Sequence, residues 1–331
     1  MSLYLHGVGH FHPENVLDNA FFESLDIGTS DAWILERVGI RTRRTVLPLS
    51  YIRDTKNSDP RAAMEAALYD NAQTGRIAGQ MALARAGIAK DDIGMVLAGG
   101  SAVDTVTPAE ACNIAAALEI EAPALDMVSA CTTLHAQLYM LSLMDPAKLP
   151  RFVMVVVPEN VTRVIDYSDR AGAVLWGDCT VALVLSTHER GRAEILGNTL
   201  MSSPAGHDKV VVPRQGHFRQ EGRTVQTFAI KQTSRLLQEL QQRFTTPERA
   251  LNFVGHQANK GMLDNVCRQC VIAPERHHSN VESYGNTAGA GSASVISQRW
   301  DEWQASDDIG VVGVGGGLTW SSYFLRFGAK A

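Results

Sequence analysis

Apolar residues recur along this chain in two alternating rhythms. Continuous apolar runs at Ala124-Leu-Asp-Met-Val128, Phe152–Val157, Val181–Leu185, Leu251–Val254 and Ile309–Val314 predict buried strands. Residues 3–9, 92–98, 194–200 and Trp320–Phe327 predict further strands. Between these runs the apolar spacing shifts to the helical period. Residues 59–87 are alanine-rich with repeats near 3.6. Phe228–Phe244 is amphipathic, anchored by Ile230, Leu236, Leu237 and Leu240. Helices are also predicted from Pro108 to Leu118, from about Cys131 to Met144, from Lys260 onward and after Asn286. Ser30-Asp31 caps a helix through Arg37 that Gly39 ends.

Strand–helix alternation predicts an α/β architecture with covered sheets. At 331 residues the chain exceeds one average domain. The rhythm begins again after residue 187, so element order suggests a duplication into halves 1–187 and 188–331. No low-complexity segment or Gly/Ser linker divides them, which predicts a shared core.

Composition narrows the class. Hydrophobic content of 45% with 20% charged residues suits a globular protein with a sizeable core. The net charge is −5 and no long basic stretch occurs, which argues against a nucleic-acid surface. No apolar run approaches membrane-spanning length, and Met1-Ser2-Leu3-Tyr4 opens no signal peptide, so a cytoplasmic location is expected. Five cysteines are scattered, and Cys267-Arg-Gln-Cys270 alone has CxxC spacing. Without a second pair it reads as chance placement on a helix rather than a zinc or redox motif.

Three distant fragments carry chemistry. Cys131, in Val128-Ser-Ala-Cys131, follows a strand and opens a helix, where unpaired amides and a partial positive charge favour a thiolate. A lone free cysteine is more often a small buried hydrophobe. His256, in Gly255-His-Gln-Ala-Asn259, follows another strand and can move one proton near neutral pH. Asn286, in Tyr284-Gly-Asn-Thr-Ala288, offers an uncharged amide donor. Together a thiol, an imidazole and a carboxamide can hold an acyl thioester and stabilise an enolate. Gly315-Gly-Gly317 lets backbone amides approach a ligand closely, or serves only as a flexible turn.

These fragments resemble the β-ketoacyl-acyl-carrier-protein synthase III family of the thiolase superfamily, and the likeness covers most of the chain. Thr29–Arg41, Asp166–Arg170, Trp176-Gly-Asp178, Gly222-Arg-Thr-Val225 and Gly-Gly-Gly-Leu-Thr-Trp320 follow in that family's order. The resemblance implies a duplicated five-layered αβαβα homodimer. It implies an acyltransferase that loads an acyl-CoA primer on Cys131 and condenses it with a malonyl thioester, most readily malonyl-acyl-carrier protein. His256 and Asn286 would serve decarboxylation, and Gly316 would be a backbone oxyanion donor. Trp33 and Arg170 would sandwich adenine, Arg37 would meet phosphate and Asn259 would line the pantetheine tunnel. Indole and guanidinium planes suit base stacking. Coenzyme A enters as substrate; no metal, redox cofactor, nucleic acid or membrane is implied.

Three departures stand out. Residues 45–75 are longer than the usual family segment. Thr107 replaces the bulky aromatic that in many members plugs a partner's acyl pocket, leaving room for a longer or polar-ended chain. Thr227 and Gly261 stand where basic residues would meet the carrier protein, so docking would fall to Lys231 and Lys260, or the extender would ride on coenzyme A. Rival reactions on the same scaffold are acyl transfer to a hydroxyl or amine and head-to-head condensation without decarboxylation.

Overall fold

Residues 2–328 are described by a computed structural model built around one mixed sheet of nine strands. In chain order these are β1 (Leu3–Phe11), β2 (Ile93–Ala98), β3 (Ala124–Asp126), β4 (Phe152–Glu159) and β5 (Cys179–Ser186), followed by β6 (Ala193–Ser202), β7 (Ala250–Gly255), β8 (Asp307–Gly315) and β9 (Thr319–Phe327). Their spatial order is β7-β8-β9-β6-β1-β5-β4-β2-β3.

The sheet has an internal echo. Outward from the centre, β1-β5-β4-β2 and β6-β9-β8-β7 repeat the same senses. The first pair in each series is antiparallel, the second antiparallel and the third parallel. The series join where Leu3–Leu5 pair with Ala193–Ile195.

Side-chain alternation along the strands sorts the core into layers. Val153, Val155 and Val157 of β4 join Val254, Ile309, Val311 and Tyr323 of the other series in one buried cluster around the helices Thr133–Leu143 and Gly291–Gln298. Met154 and Val156 face the opposite way, onto helices Asn71–Ala86 and Glu110–Leu118. Outside β8 and β9, helices Gly222–Phe244 and Lys260–Cys270 contribute Leu236, Leu237, Leu240, Leu263 and Val266 to a third cluster. The two strand series of the sheet therefore form two layers with helices between and outside them, the order that a thiolase-like α/β fold requires.

Two expectations change. The helical stretch 59–87 is two helices, Pro60–Ala66 and Asn71–Ala86. Asp70 begins the second with a capping box to Gln73, and Ala67 before it is extended. The run at Ala124–Val128 is not buried. Its first three residues form the short edge strand β3, and Leu125 and Val128 are exposed, because among the described residues no strand covers the outer side of β3.

Candidate active site

Cys131, His256 and Asn286 meet in one cavity of about 460 Å³. Each stands in a turn beside a helix or strand end. Cys131 lies in the 3-10 turn Ala130–Thr132, ahead of the inter-layer helix that begins at Thr133. Ala130 has a left-handed φ of 46°, and the Thr133 hydroxyl donates to the Ala130 carbonyl at 2.7 Å. Thr132 Oγ1 meets Thr319 Oγ1 at 2.8 Å, tying the cysteine turn to the Gly315–Gly317 loop. A Cβ on Gly315 would lie 3.1 Å from the Cys131 nitrogen, so glycine there leaves the Cys131 N–H approachable. Gly316 lines the same cavity.

Asn286 is held by its backbone and its side chain. Its N–H donates to the Leu175 carbonyl at 2.8 Å, and its carbonyl accepts from Gly177 at 3.1 Å. Its Oδ1 accepts from the Ala288 N–H at 3.0 Å, which leaves the amide NH2 as the free donor. Gly285 precedes it at φ 69°, and a side chain there would meet the Leu175 carbonyl and buried Arg43.

His256 follows β7. Burial lowers its pKa to about 4, so the ring is neutral at physiological pH, with one nitrogen to accept and one N–H to donate. The next residues are structural. Gln257 Nε2 donates to the Gly255 carbonyl at 2.7 Å, while its Oε1 accepts from Asn280 and Val281. Asn259 lines the cavity and caps helix Lys260–Cys270, accepting from Met262 at 2.8 Å.

The expected thiolate is not what the resting site favours. Burial pushes the Cys131 thiol up to about 12, and the nearby Glu159 carboxyl adds to the shift. The Cys131 backbone N–H works in the other direction but does not offset desolvation.

A second, apolar cavity of about 210 Å³ adjoins the first, and Cys131, Trp176 and Val210 line both. Its other walls are mostly aliphatic, including Val161, Val164, Ile165 and Val212, with Phe218. At the opposite end of the larger cavity stand Trp33 and Arg37. Ser30 and Gly39 cap the helix Asp31–Val38 that carries them. Arg37 and Arg170 place their guanidinium carbons 4.9 and 5.1 Å from the Trp33 ring, so Arg170 stacks on the indole itself. Thr107 lines neither cavity and sits in an exposed loop.

Sequence reasoning missed Trp176, Phe218 and Glu159. The signal for Glu159 was available, since a carboxylate ends an otherwise apolar and wholly buried strand. Phe218 gave none, because only the fold of the 210–220 segment brings it beside Cys131. Among the described residues no helix is long and apolar enough to cross a membrane, and no cluster of three or more His, Cys, Asp or Glu side chains is placed to hold a metal ion.

Two family models match the chain. They are 3-oxoacyl-[acyl-carrier-protein] synthase III over residues 125–204 and its C-terminal counterpart over 240–327. A β-ketoacyl-[acyl-carrier-protein] synthase III from Gloeobacter violaceus is 31% identical over 354 aligned positions, covering 99% of both chains. One from Oceanobacillus iheyensis is 29% identical, covering 99% of this chain and all of that one. The 3-oxoacyl-(acyl carrier protein) synthase III structure from Pseudomonas aeruginosa superposes with a TM-score of 0.84 at 28% identity, covering 100% of both chains. The Aquifex aeolicus enzyme reaches 0.86 at 24% identity, a likeness of fold. With that identity running end to end over a thiolase-like fold, this chain belongs to the β-ketoacyl-acyl-carrier-protein synthase III family and is an acyl-transferring condensing enzyme.

Proposed function

We propose that the enzyme takes an acyl group from acyl-CoA onto Cys131 and condenses it with a malonyl thioester. Carbon dioxide is lost and a β-ketoacyl thioester is formed. The observation that carries this reading is the position of Cys131, shared by a polar cavity with His256 and Asn286 and an apolar one fit for a chain. In the first step the thiol proton passes to His256. The sulfur attacks the primer carbonyl, whose oxyanion meets the Cys131 and Gly316 N–H groups, and the coenzyme A thiolate leaves with the proton. In the second step the malonyl carboxylate departs as carbon dioxide. The enolate oxygen accepts hydrogen bonds from His256 and the Asn286 amide, and the enolate carbon attacks the Cys131 thioester, expelling the Cys131 thiolate as the C–S bond breaks. Simple transfer to an alcohol or amine has no need of the Asn286 donor.

The halves 1–187 and 188–331 would then divide the labour, the first supplying the nucleophile and the second the decarboxylation pair. The primer chain would lie among Val161, Val164, Ile165 and Phe218, surroundings that favour an apolar chain over a polar-ended one. Ile165→Trp is expected to fill that space and shift acylation toward short primers, read as the chain-length profile of the acyl-enzyme. The adenine end would rest on Trp33, with Arg170 moving off the indole to admit it. Trp33→Ala should raise the KM for acyl-CoA about tenfold with little change in kcat.

Partners follow from the surface. Lys231 lines an open cleft on helix Gly222–Phe244 with Thr227 and with Arg235, which is paired with Glu239, and would be the cation that meets an acidic carrier protein. Lys260 already pairs with Asp264. Exposed Val103, Val106, Leu125 and Val128 flank the unpaired edge of β3, which supports a homodimer through that edge, with the Thr107 loop at the contact. The setting would be cytoplasmic fatty acid biosynthesis. Incubation with a ladder of acyl-CoAs and intact-mass measurement tests the reading: saturated acyl adducts should map to the Cys131 peptide, and an enzyme that gains no adduct contradicts it.

A further inference from the structure

Strand β4 is buried from end to end, and its last residue, Glu159, is an acid with no exposed surface. Its carboxyl joins three walls of the site. Oε1 accepts from the Gly289 N–H at 3.1 Å, in the turn that follows Asn286. Oε2 accepts from the Ser101 N–H at 2.9 Å, in the loop that walls the apolar cavity, and the Ser101 hydroxyl reaches Oε1 at 3.3 Å. A Cβ built on Gly289 would lie 2.9 Å from Glu159 Oε1 and 3.3 Å from the Ala130 carbonyl, so the carboxyl approaches the cysteine turn across a gap the size of one methyl.

All of these donors are neutral. The charged groups around the acid are committed elsewhere or share its sign. Asp178 is a second buried acid, hydrogen-bonded to Thr162 and Val46. Arg163, which acts on Asp178, is itself paired with Asp104. Cys179 is buried with its thiol pushed up, partly by both acids. His256, which lines the larger cavity, and His135, on the helix that follows Cys131, are held neutral by burial. Burial likewise raises Glu159 itself to about 7.

We propose that Glu159 is a positioning residue that tunes the nucleophile: as the neutral acid it eases ionisation of the Cys131 thiol, and as the carboxylate it opposes it. The same carboxyl fixes the Asn286 turn and the cavity loop relative to the cysteine, so one proton couples the alignment of the site to its readiness for acylation. Coupling of this kind is reciprocal, and ionising either group opposes ionising the other. The inference rests on the reading of Cys131 as the acylated residue only for its consequence. Its test uses no acyl substrate, so the two can fail separately.

The experiment is iodoacetamide alkylation of the Cys131 peptide, followed by mass spectrometry from acidic to alkaline pH, in wild type and Glu159→Gln. Thiolate displaces iodide, so the rate reports ionised Cys131. The variant-to-wild-type ratio should lie near one in acid, where Glu159 is already neutral. It should climb to about tenfold in alkali, matching a shift of about one pH unit from one nearby like charge. A ratio that stays flat with pH, or falls below one, overturns the proposal; a purely structural role would leave no pH-dependent ratio. If Glu159→Gln does not fold, Ser101→Ala carries the test. Losing the hydroxyl donor makes Glu159 ionise later, so alkylation near neutral pH should rise about threefold and converge with wild type in alkali. An unchanged neutral rate in that variant overturns the proposal equally.

Discussion

Cys131→Ala should form no acyl-enzyme, and condensation should fall by roughly 10⁴-fold or more, the scale on which removal of a covalent nucleophile is felt. The expectation follows from geometry rather than from a reactive resting thiol. Cys131 lines both cavities, with its own N–H and the Gly315–Gly316 backbone beside it. The other cysteines lie away from both cavities. A residual adduct at Cys112 or Cys267 after this substitution would mark non-specific acylation; sustained turnover would show that the nucleophile lies elsewhere.

Asn286→Ala should separate the two half-reactions. Acylation of Cys131 should stay within severalfold of wild type, because nothing in that step touches the carboxamide. Condensation should fall about 10²- to 10³-fold, the loss seen when one preorganised donor to a developing oxyanion is removed. The donor is well defined here: Ala288 occupies Oδ1 and the flanking backbone is clamped to Leu175 and Gly177, so the NH2 group has one orientation. Rapid mixing, with acyl-enzyme mass and product followed separately, distinguishes this from a general collapse. Equal losses in both steps would contradict the assigned role.

The part of the fold legible in the sequence was the part written in local pattern. Wholly buried strands such as Phe152–Glu159 and Cys179–Ser186 announce themselves as unbroken apolar runs, and Ser30 with Gly39 brackets a helix by capping chemistry alone. The edge strand Ala124–Asp126 reads the same way yet is half exposed, because burial there depends on what lies beyond the chain's own sheet. The site divides similarly. Cys131 and His256 were marked by their places just after strands and Asn286 by the glycine before it, placements that local sequence reveals. The direction of the Cys131 shift was not legible, since the turn is visible in sequence while the desolvation around it is a property of packing. Arg170 shows the same limit: the family resemblance implied a stacking partner for a base, and its contact with the Trp33 ring in this structure was not legible from sequence.

The decisive measurement is the fate of the malonyl carboxylate. Acyl-loaded enzyme mixed with a carboxyl-labelled malonyl thioester should release one labelled carbon dioxide for each β-ketoacyl thioester formed, as the acyl mass leaves Cys131. Transfer of that acyl group to a hydroxyl or amine acceptor with the label retained would contradict the decarboxylative condensation.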